Sequence, residues 1–451
     1  MREFLISAVP QLLETERRSD VQLVRLASAS LLARVLTLPL TGGANLLSAR
    51  IVVGDVGVKG YALFALVVTL PQLLPVGDMG LGAAVIDACS RRKTAGIDHV
   101  RRTVMTSARY LWFLGLGIAV LSVTFGLLEI WPELLATRDA SGASVAASCA
   151  FAIFGLGLPF GLGNRILTAL NLNHIALLLQ AAASMTSLAV IALATQSQAS
   201  LTVYCAAGFA GTALAGIVAL VVAGRLLRLP VLRDVLLGVW TGHATTNVWQ
   251  FAGPMTLVVL ASSVTYGKDR LVLSHVAEPG DLAAYSAGAQ IFGPLFGVVS
   301  VMGVTLWGEF ARRRDSAAAT TVRSLARITA FFAIAGLLMG VGLVTVGPPL
   351  ATWLVHDQVV VGPGLMAAFS ALLLAHACNY PTAMLLTDPH GLRAQAICCC
   401  SAAVVSVVLS FVISEHLGAA GPVIGSLVAL VSCIYIPCLW IALHRQGDGR
   451  R

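Results

Sequence analysis

Apolar residues in this chain come in long unbroken runs rather than in alternation, with polar residues gathered into short links between them. A run of about 20 residues, at the rise of an α-helix, crosses a hydrocarbon core of ~30 Å. The runs predict twelve helices, at roughly 22–50, 61–90, 103–130, 145–170, 174–195, 202–227, 246–276, 282–310, 324–354, 361–387, 393–414 and 418–443. The expected fold is therefore all-α: a polytopic membrane protein. A transmembrane barrel would show short segments of alternating polarity instead. Several runs exceed the minimum span, which predicts tilt or extension beyond the lipid.

Composition agrees with that pattern. Of 451 residues, 57% are hydrophobic and 11% charged, against the ~25% charged residues of an ordinary soluble domain. The net charge of +8 would suit nucleic acid, but the arginines sit in clusters between spans, and such clusters orient membrane proteins. One side receives Arg2, Arg17, Arg18 and Arg25, then Arg91–Lys93 with Arg101 and Arg102, then Arg225, Arg228 and Arg233. The same side later receives Arg312–Arg314, Arg323 and Arg327, then Arg393, then Arg445, Arg450 and Arg451. The other side holds only Arg50, Lys59, Arg138, Lys268 and Arg270. The basic side is the cytoplasmic one, so both termini are expected in the cytoplasm, and nucleic acid is not an expected partner. Residues Met1–Asp20 lack the apolar core and cleavage pattern of a signal peptide. With Phe4, Leu5, Val9, Leu12 and Leu13 they read as a tail or a short interfacial helix. The nine cysteines fall in or beside apolar spans without zinc spacing, which reads as buried free thiols.

The longest cytoplasmic link follows the sixth span. Its stretch LLRLPVLRDVLLGVW carries Pro230 and apolar residues at helical spacing, the pattern of an amphipathic helix on the inner surface. The expected organisation is a cytoplasmic segment at 1–21, a first lobe at 22–227, a linker at 228–245, a second lobe at 246–443 and a tail at 444–451. The two lobes read as repeats. Arg50-Ile-Val-Val, Val56 and Tyr61-Ala lie on Arg270-Leu-Val-Leu, Val276 and Tyr285-Ser-Ala, and each second helix ends on a basic cluster. Asn164–Thr168 lies more loosely on Asn379–Thr382. Both copies start from the cytoplasm, so the axis relating them runs along the membrane normal.

These residues carry a resemblance. An arginine at the outer end of the first helix, a Gly-rich link and the stretch GYALFALVVTLPQLLPVGDMGLGAAVIDACSRR resemble the polysaccharide flippases of the multidrug/oligosaccharidyl-lipid/polysaccharide exporter superfamily. The G-D-x-G-L-G run at Gly77–Gly82 and the K-D-R-L-V-L run of the seventh span, followed by Tyr285-Ser, are similar to that family's two halves. The resemblance covers about 22–443. It implies two six-helix lobes around a V-shaped central cleft, lined mainly by spans 1, 2, 7 and 8, in a bacterial inner membrane. The implied activity is movement of a lipid-linked oligosaccharide, carried on polyprenyl pyrophosphate, from the inner to the outer leaflet. The two extra C-terminal helices usual in peptidoglycan-precursor flippases are absent from the pattern.

No nucleotide-binding G-x-x-x-x-G-K-[ST] loop, H-E-x-x-H helix or G-x-S-x-G turn occurs, so neither an ATP-driven pump nor an enzyme is expected, and no catalytic residue, metal site or cofactor is assigned. The candidate chemistry lies in ionisable residues within spans, which are expensive in hydrocarbon and face a partner or a wet cavity. Arg34 sits about midway along span 1. It reads either as a cationic substrate contact or as the partner of Asp78 or Asp87. Asp78, within VGDMGLG, reads as a structural pair or as a coupling group for H⁺ or Na⁺. Lys268, Asp269 and Arg270 lie toward the outer end of span 7, and on a continuous helix they cannot all face one cavity. Arg50 is their counterpart on span 1. The candidate substrate contacts are thus Arg34, Arg50, Lys268 and Arg270, with Asp78 and Asp269 as ion-coupling or pairing groups. Arg109 and Arg165 read as interfacial anchors, His376 and Asn379 as helix-packing groups. Pro71, Pro75, Pro254 and Pro294 are candidate kinks. A pyrophosphate losing water needs positive charge to replace its hydration. The membrane potential, worth ~2.3 kcal/mol per charge per 100 mV, would favour outward movement of an anion. Alternatives are a cation-coupled multidrug exporter of the same superfamily and a non-transporting partner of polymerases or glycosyltransferases.

Overall fold

A computed structural model describes residues 28–45, 47–52, 54–56, 63–64, 67–68, 79–131, 142–196, 200–237, 247–276, 279–315, 321–354 and 361–448. The N-terminal segment, Asp78, Lys59, Pro71, Pro75, Arg138, the linker beyond Leu237 and the last arginines lie outside the described residues. Those that are described form helices, and there is no strand among them. Among the described residues, eight helical stretches are long and apolar enough to cross a membrane. The chain divides into two compact units, one of Ala33–Gly253 and one of Pro254–Arg451 with Met1–Leu32.

The helix α1 occupies the span Ser28–Val56, and from Ala33 onward it belongs to the first unit. It is followed by α2 (Leu81–Ser90), α3 (Ile97–Leu127), α4 (Ala143–Gly157), α5 (Leu162–Ala169), α6 (Asn173–Gln196), α7 (Leu201–Leu227) and α8 (Val231–Leu237). A 3₁₀ turn at Leu158–Gly161 joins α4 to α5 within a single membrane span. Every residue of α2 is buried, Asp87 included. Helices α3 and α4 approach backbone to backbone, because a Cβ on Gly115 would overlap the carbonyl of Gly155. Without a hydrophobic force between helices in lipid, close contact of small residues holds the pair. Reciprocal bonds reinforce it, since each of Ser122 and Ser148 donates its hydroxyl to the other's carbonyl at 3.0 Å. Beneath them Leu63, Trp131, Phe151 and Cys205 share one apolar cluster.

The linker helix α8 covers protein with part of its surface. It packs on α3 and α7 and buries Val231, Asp234 and Val235, while Leu236 and Leu237 stay exposed.

In the second unit follow α9 (Trp249–Gly267, whose first residues belong to the first unit), α10 (Asp269–Val276), α11 (Pro279–Asp315), α12 (Val322–Leu354), α13 (Pro363–Leu385), α14 (Pro389–Leu417), α15 (Gly421–Ala429) and α16 (Ile436–Asp448). A π-helical turn at Leu430–Tyr435 runs α15 into α16. The chain reverses after α14 at Gly418, whose φ of 51° suits glycine. The Asp281 carboxylate lies against that turn and accepts from the Ala419 amide at 3.2 Å. Helix α14 begins at a capped end, where Asp388 accepts from the Gly391 amide and from Arg445 of α16. The core runs through Tyr285, Phe369, Leu372, Val423 and Leu430.

The seventh predicted span differs from expectation in one respect. It is two helices, α9 and α10, with a break at Lys268 directly after Gly267. Glycine weakens a helix interior, and the side chains around the break supply the bonds the helix gives up.

Candidate functional site

The break in span 7 gathers a dense polar cluster in the second unit. The Lys268 ammonium donates to the Thr265 carbonyl at 2.7 Å, to Asp269 Oδ1 at 2.8 Å and to Ser426 Oγ at 3.1 Å. An ammonium has three donors, and all three are engaged. Asp269 uses its other oxygen, Oδ2, to accept from the Tyr285 hydroxyl at 2.8 Å. The Thr265 carbonyl lies in the last turn of α9, where carbonyls lack in-helix donors. It also accepts from Ser426 Oγ at 3.3 Å and Ser406 Oγ at 3.4 Å. Lys268 and Asp269 are 8% and 5% exposed. Thus α9, α10, α11, α14 and α15 are tied together through one internal ion pair. Arg270, one residue on, is exposed.

Arg34 differs in kind. It is half-buried on α1, between the exposed Leu32, Val35 and Leu36. Its Nε is enclosed and has no hydrogen-bond partner, and among the described residues no ion pair reaches its guanidinium. Arg50 is exposed at the far end of the same helix. Asp87 takes Arg91 of its own helix turn at 3.6 Å, which leaves Asp78, outside the described residues, as the other acid weighed for Arg34.

Several other charges are engaged at helix ends. Arg101 holds Asp234 of the linker helix with two bonds of 2.8 Å, and Trp112 donates to the Val235 carbonyl next to it at 2.9 Å. Glu309 lies between Arg312 and Arg313. Arg314 donates to the Leu385 carbonyl at 3.1 Å and to Thr387 Oγ1 at 3.2 Å. In the middle of α13, His376 packs among the rings of Tyr266, Phe296 and Tyr380. A small cavity in the first unit, about 70 Å³, is lined by Asp87, His99, Thr103, Asn247, Gln250 and Phe251 among others. That volume holds a few waters and is too small for a sugar chain. Among the described residues no three His, Cys, Asp or Glu side chains are grouped to hold a metal.

Two positions paired in the predicted repeat share a trait. Asn164 on α5 and Asn379 on α13 each carry a buried side-chain oxygen without a partner. The roles of Asp234, Ser406, Ser426 and Tyr285 were not anticipated from sequence. Gly267 was the one local signal for the break that gathers the last three.

The fold is that of known transporters. The chain is similar to MATE in complex with MaL6, with a TM-score of 0.73 at 16% identity over 95% of this chain and 97% of that one. It is similar to the Vibrio cholerae MATE transporter VcmN in its bent form, with a TM-score of 0.68 at 16% identity over 97% and 98%. It is likewise similar to a MOP superfamily transporter from Pyrococcus furiosus, described as having a binding pocket of reverse polarity that suggests a different function, with a TM-score of 0.70 at 14% identity over 96% and 97%. These likenesses define an all-α, polytopic membrane protein built like the twelve-helix transporters of that superfamily. The family described as "Polysaccharide biosynthesis protein" matches residues 27–307, and the chain belongs to it. No curated relative matches the sequence.

Proposed function

We propose that the protein flips a lipid-linked oligosaccharide, carried on polyprenyl pyrophosphate, from the inner to the outer leaflet of a bacterial inner membrane by alternating access of its two lobes. Both termini and the 228–245 linker face the cytoplasm in this reading. The observation that carries it is Arg34, a half-buried cation on an apolar helix whose Nε has no partner. A charge without a partner among the described residues of its span calls for a counter-charge, and a substrate pyrophosphate supplies one with geometry suited to a guanidinium. Arg50 and Arg270, exposed at span ends, are the second contacts, reached as the head group moves. Lys268 and Asp269 serve as an internal pair, because their bonding groups are already engaged. Asp78 is the proposed coupling group for H⁺ or Na⁺, with the membrane potential as the other driving force. Polymerases or glycosyltransferases of the same pathway are the proposed protein partners.

Membership of the polysaccharide biosynthesis family supports this substrate class. The Pyrococcus furiosus transporter, whose reverse pocket polarity suggests a different function, has this same fold. The test is depletion of the protein in its host, with the amount of lipid-linked oligosaccharide in the inner leaflet measured after rescue by wild type or by Arg34→Ala at equal membrane abundance. Accumulation cured by wild type and not by Arg34→Ala is expected. Cure by both removes Arg34 from the mechanism. No accumulation on depletion refutes the flippase and turns the assay to cation-coupled drug efflux.

A further inference from the structure

The bonds around the Lys268 ammonium are those a bound monovalent cation would make. A helix interrupted within the membrane presents a carbonyl at the C-terminal end of its first half, and such ends, with their negative partial charge, coordinate Na⁺ in transporters. The Thr265 carbonyl is that group, at the end of α9. A carboxylate oxygen of Asp269 at 2.8 Å and the Ser426 hydroxyl at 3.1 Å complete a set of three hard oxygen donors. The donors come from α9, α10 and α15, and Ser406 of α14 braces the same carbonyl. No free ion is needed to neutralise Asp269, because Nζ stands among the oxygens on a tether that starts at the break itself.

We propose that Lys268 is a tethered cation: its ammonium fills a monovalent-cation site built from the Thr265 carbonyl, Asp269 and Ser426, and thereby makes the second unit independent of free Na⁺. Any Na⁺ dependence of transport then arises elsewhere in the chain. The inference does not rest on the substrate, so it stands or falls separately from the flippase reading. Its physical basis is asymmetry. A buried pair that loses one partner leaves an uncompensated charge, and the charge left by deleting Lys268 is an anion with two further oxygens already aimed at the vacated point.

The test uses the purified full-length protein in nanodiscs, with thermal unfolding followed in NaCl, KCl and choline chloride at equal ionic strength. Wild type is expected to show no Na⁺ response that depends on Asp269, so that wild type and Asp269→Asn shift alike between the three salts. Lys268→Ala is expected to lose on the order of 5 °C or more in choline chloride. Na⁺ should restore part of that loss with a saturable dependence. So should n-propylammonium, which replaces the deleted side-chain fragment, whereas its neutral isostere n-propanol should not. Adding Asp269→Asn to Lys268→Ala should abolish both responses. A Na⁺-specific stabilisation of wild type that Asp269→Asn removes overturns the proposal, as does a Lys268→Ala protein that choline, Na⁺ and propylammonium serve equally well. If Lys268→Ala can be purified only with propylammonium present, that dependence supports the proposal. If it fails to fold even then, while the uncharged Lys268→Met/Asp269→Asn protein folds, the proposal is overturned.

Discussion

The contact between Arg101 and Asp234 gives the sharpest energetic prediction, because its two partners differ so much in burial. The Asp234 side chain is 6% exposed and the Arg101 side chain 47%. Two bonds of 2.8 Å make the pair bidentate, the strong form of the interaction. Arg101→Met keeps the apolar stem and removes the charge, leaving Asp234 buried against α3 and α7 without its partner. Breaking a fully buried pair in this way costs about 3–5 kcal/mol. Water already screens the guanidinium side, so the expected loss falls to about 1.5–3 kcal/mol. At ~2–4 °C per kcal/mol for a unit of this size, unfolding should move down by about 3–12 °C. Asp234→Asn should cost less, about 1 kcal/mol, because the released arginine turns into water. The double substitution should cost little more than Asp234→Asn alone, giving a coupling energy above about 1 kcal/mol. The assay is thermal unfolding of the purified protein, read by dye labelling of Cys89 and Cys205, free and buried thiols of the same unit. Equal losses for the two single variants, or coupling below about 0.5 kcal/mol, would refute the view that the burial of Asp234 makes this a one-sided contact.

Two other substitutions test the packing directly. Gly115→Leu places side-chain atoms where the Gly155 backbone lies, so α3 and α4 must separate; a loss of about 3 kcal/mol or more is expected, seen as a collapse in the yield of folded protein from membranes, while Gly117→Leu, with open space at its Cβ, should be tolerated. Gln395→Leu removes the amide that donates to the Ala383 carbonyl at 2.9 Å and the Leu386 carbonyl at 2.8 Å; with both left buried the expected loss is about 1–3 kcal/mol, and unchanged thermal unfolding would show that the end of α13 finds other donors.

What could be read from the sequence, and what could not, divides along distance in the chain. Helices such as Asn173–Gln196, Leu201–Leu227 and Val322–Leu354 lie close to the runs that predict them, because hydrocarbon leaves a spanning backbone few alternatives to bonding with itself. Arg34 stood out for the same reason, as a charge in an apolar run. The triplet Lys268-Asp269-Arg270 was harder. On a continuous helix its members diverge, yet the break after Gly267 turns Lys268 and Asp269 inward together and leaves Arg270 outside. What holds the break closed is Ser406 and Ser426, far away in sequence, and local pattern carries no information about them.

The basic clusters show the limit most clearly, since one arginine can serve two purposes. Counted along the chain, Arg101 and Arg312–Arg314 are orientation signals. In the fold, Arg101 fixes the linker helix, Arg312 and Arg313 enclose Glu309, and Arg314 closes the end of α13 at Leu385. The two uses are compatible because helix ends at the membrane boundary leave carbonyls without donors, and a long cation anchored in the interface is the side chain able to reach them. Charge that sets topology during insertion is then available as bonding during folding. It follows that replacing such an arginine by lysine preserves the topological signal but forfeits the forked geometry. Orientation and stability should therefore separate experimentally at Arg101 and at Arg314, with Arg→Lys variants inserted correctly and less stable.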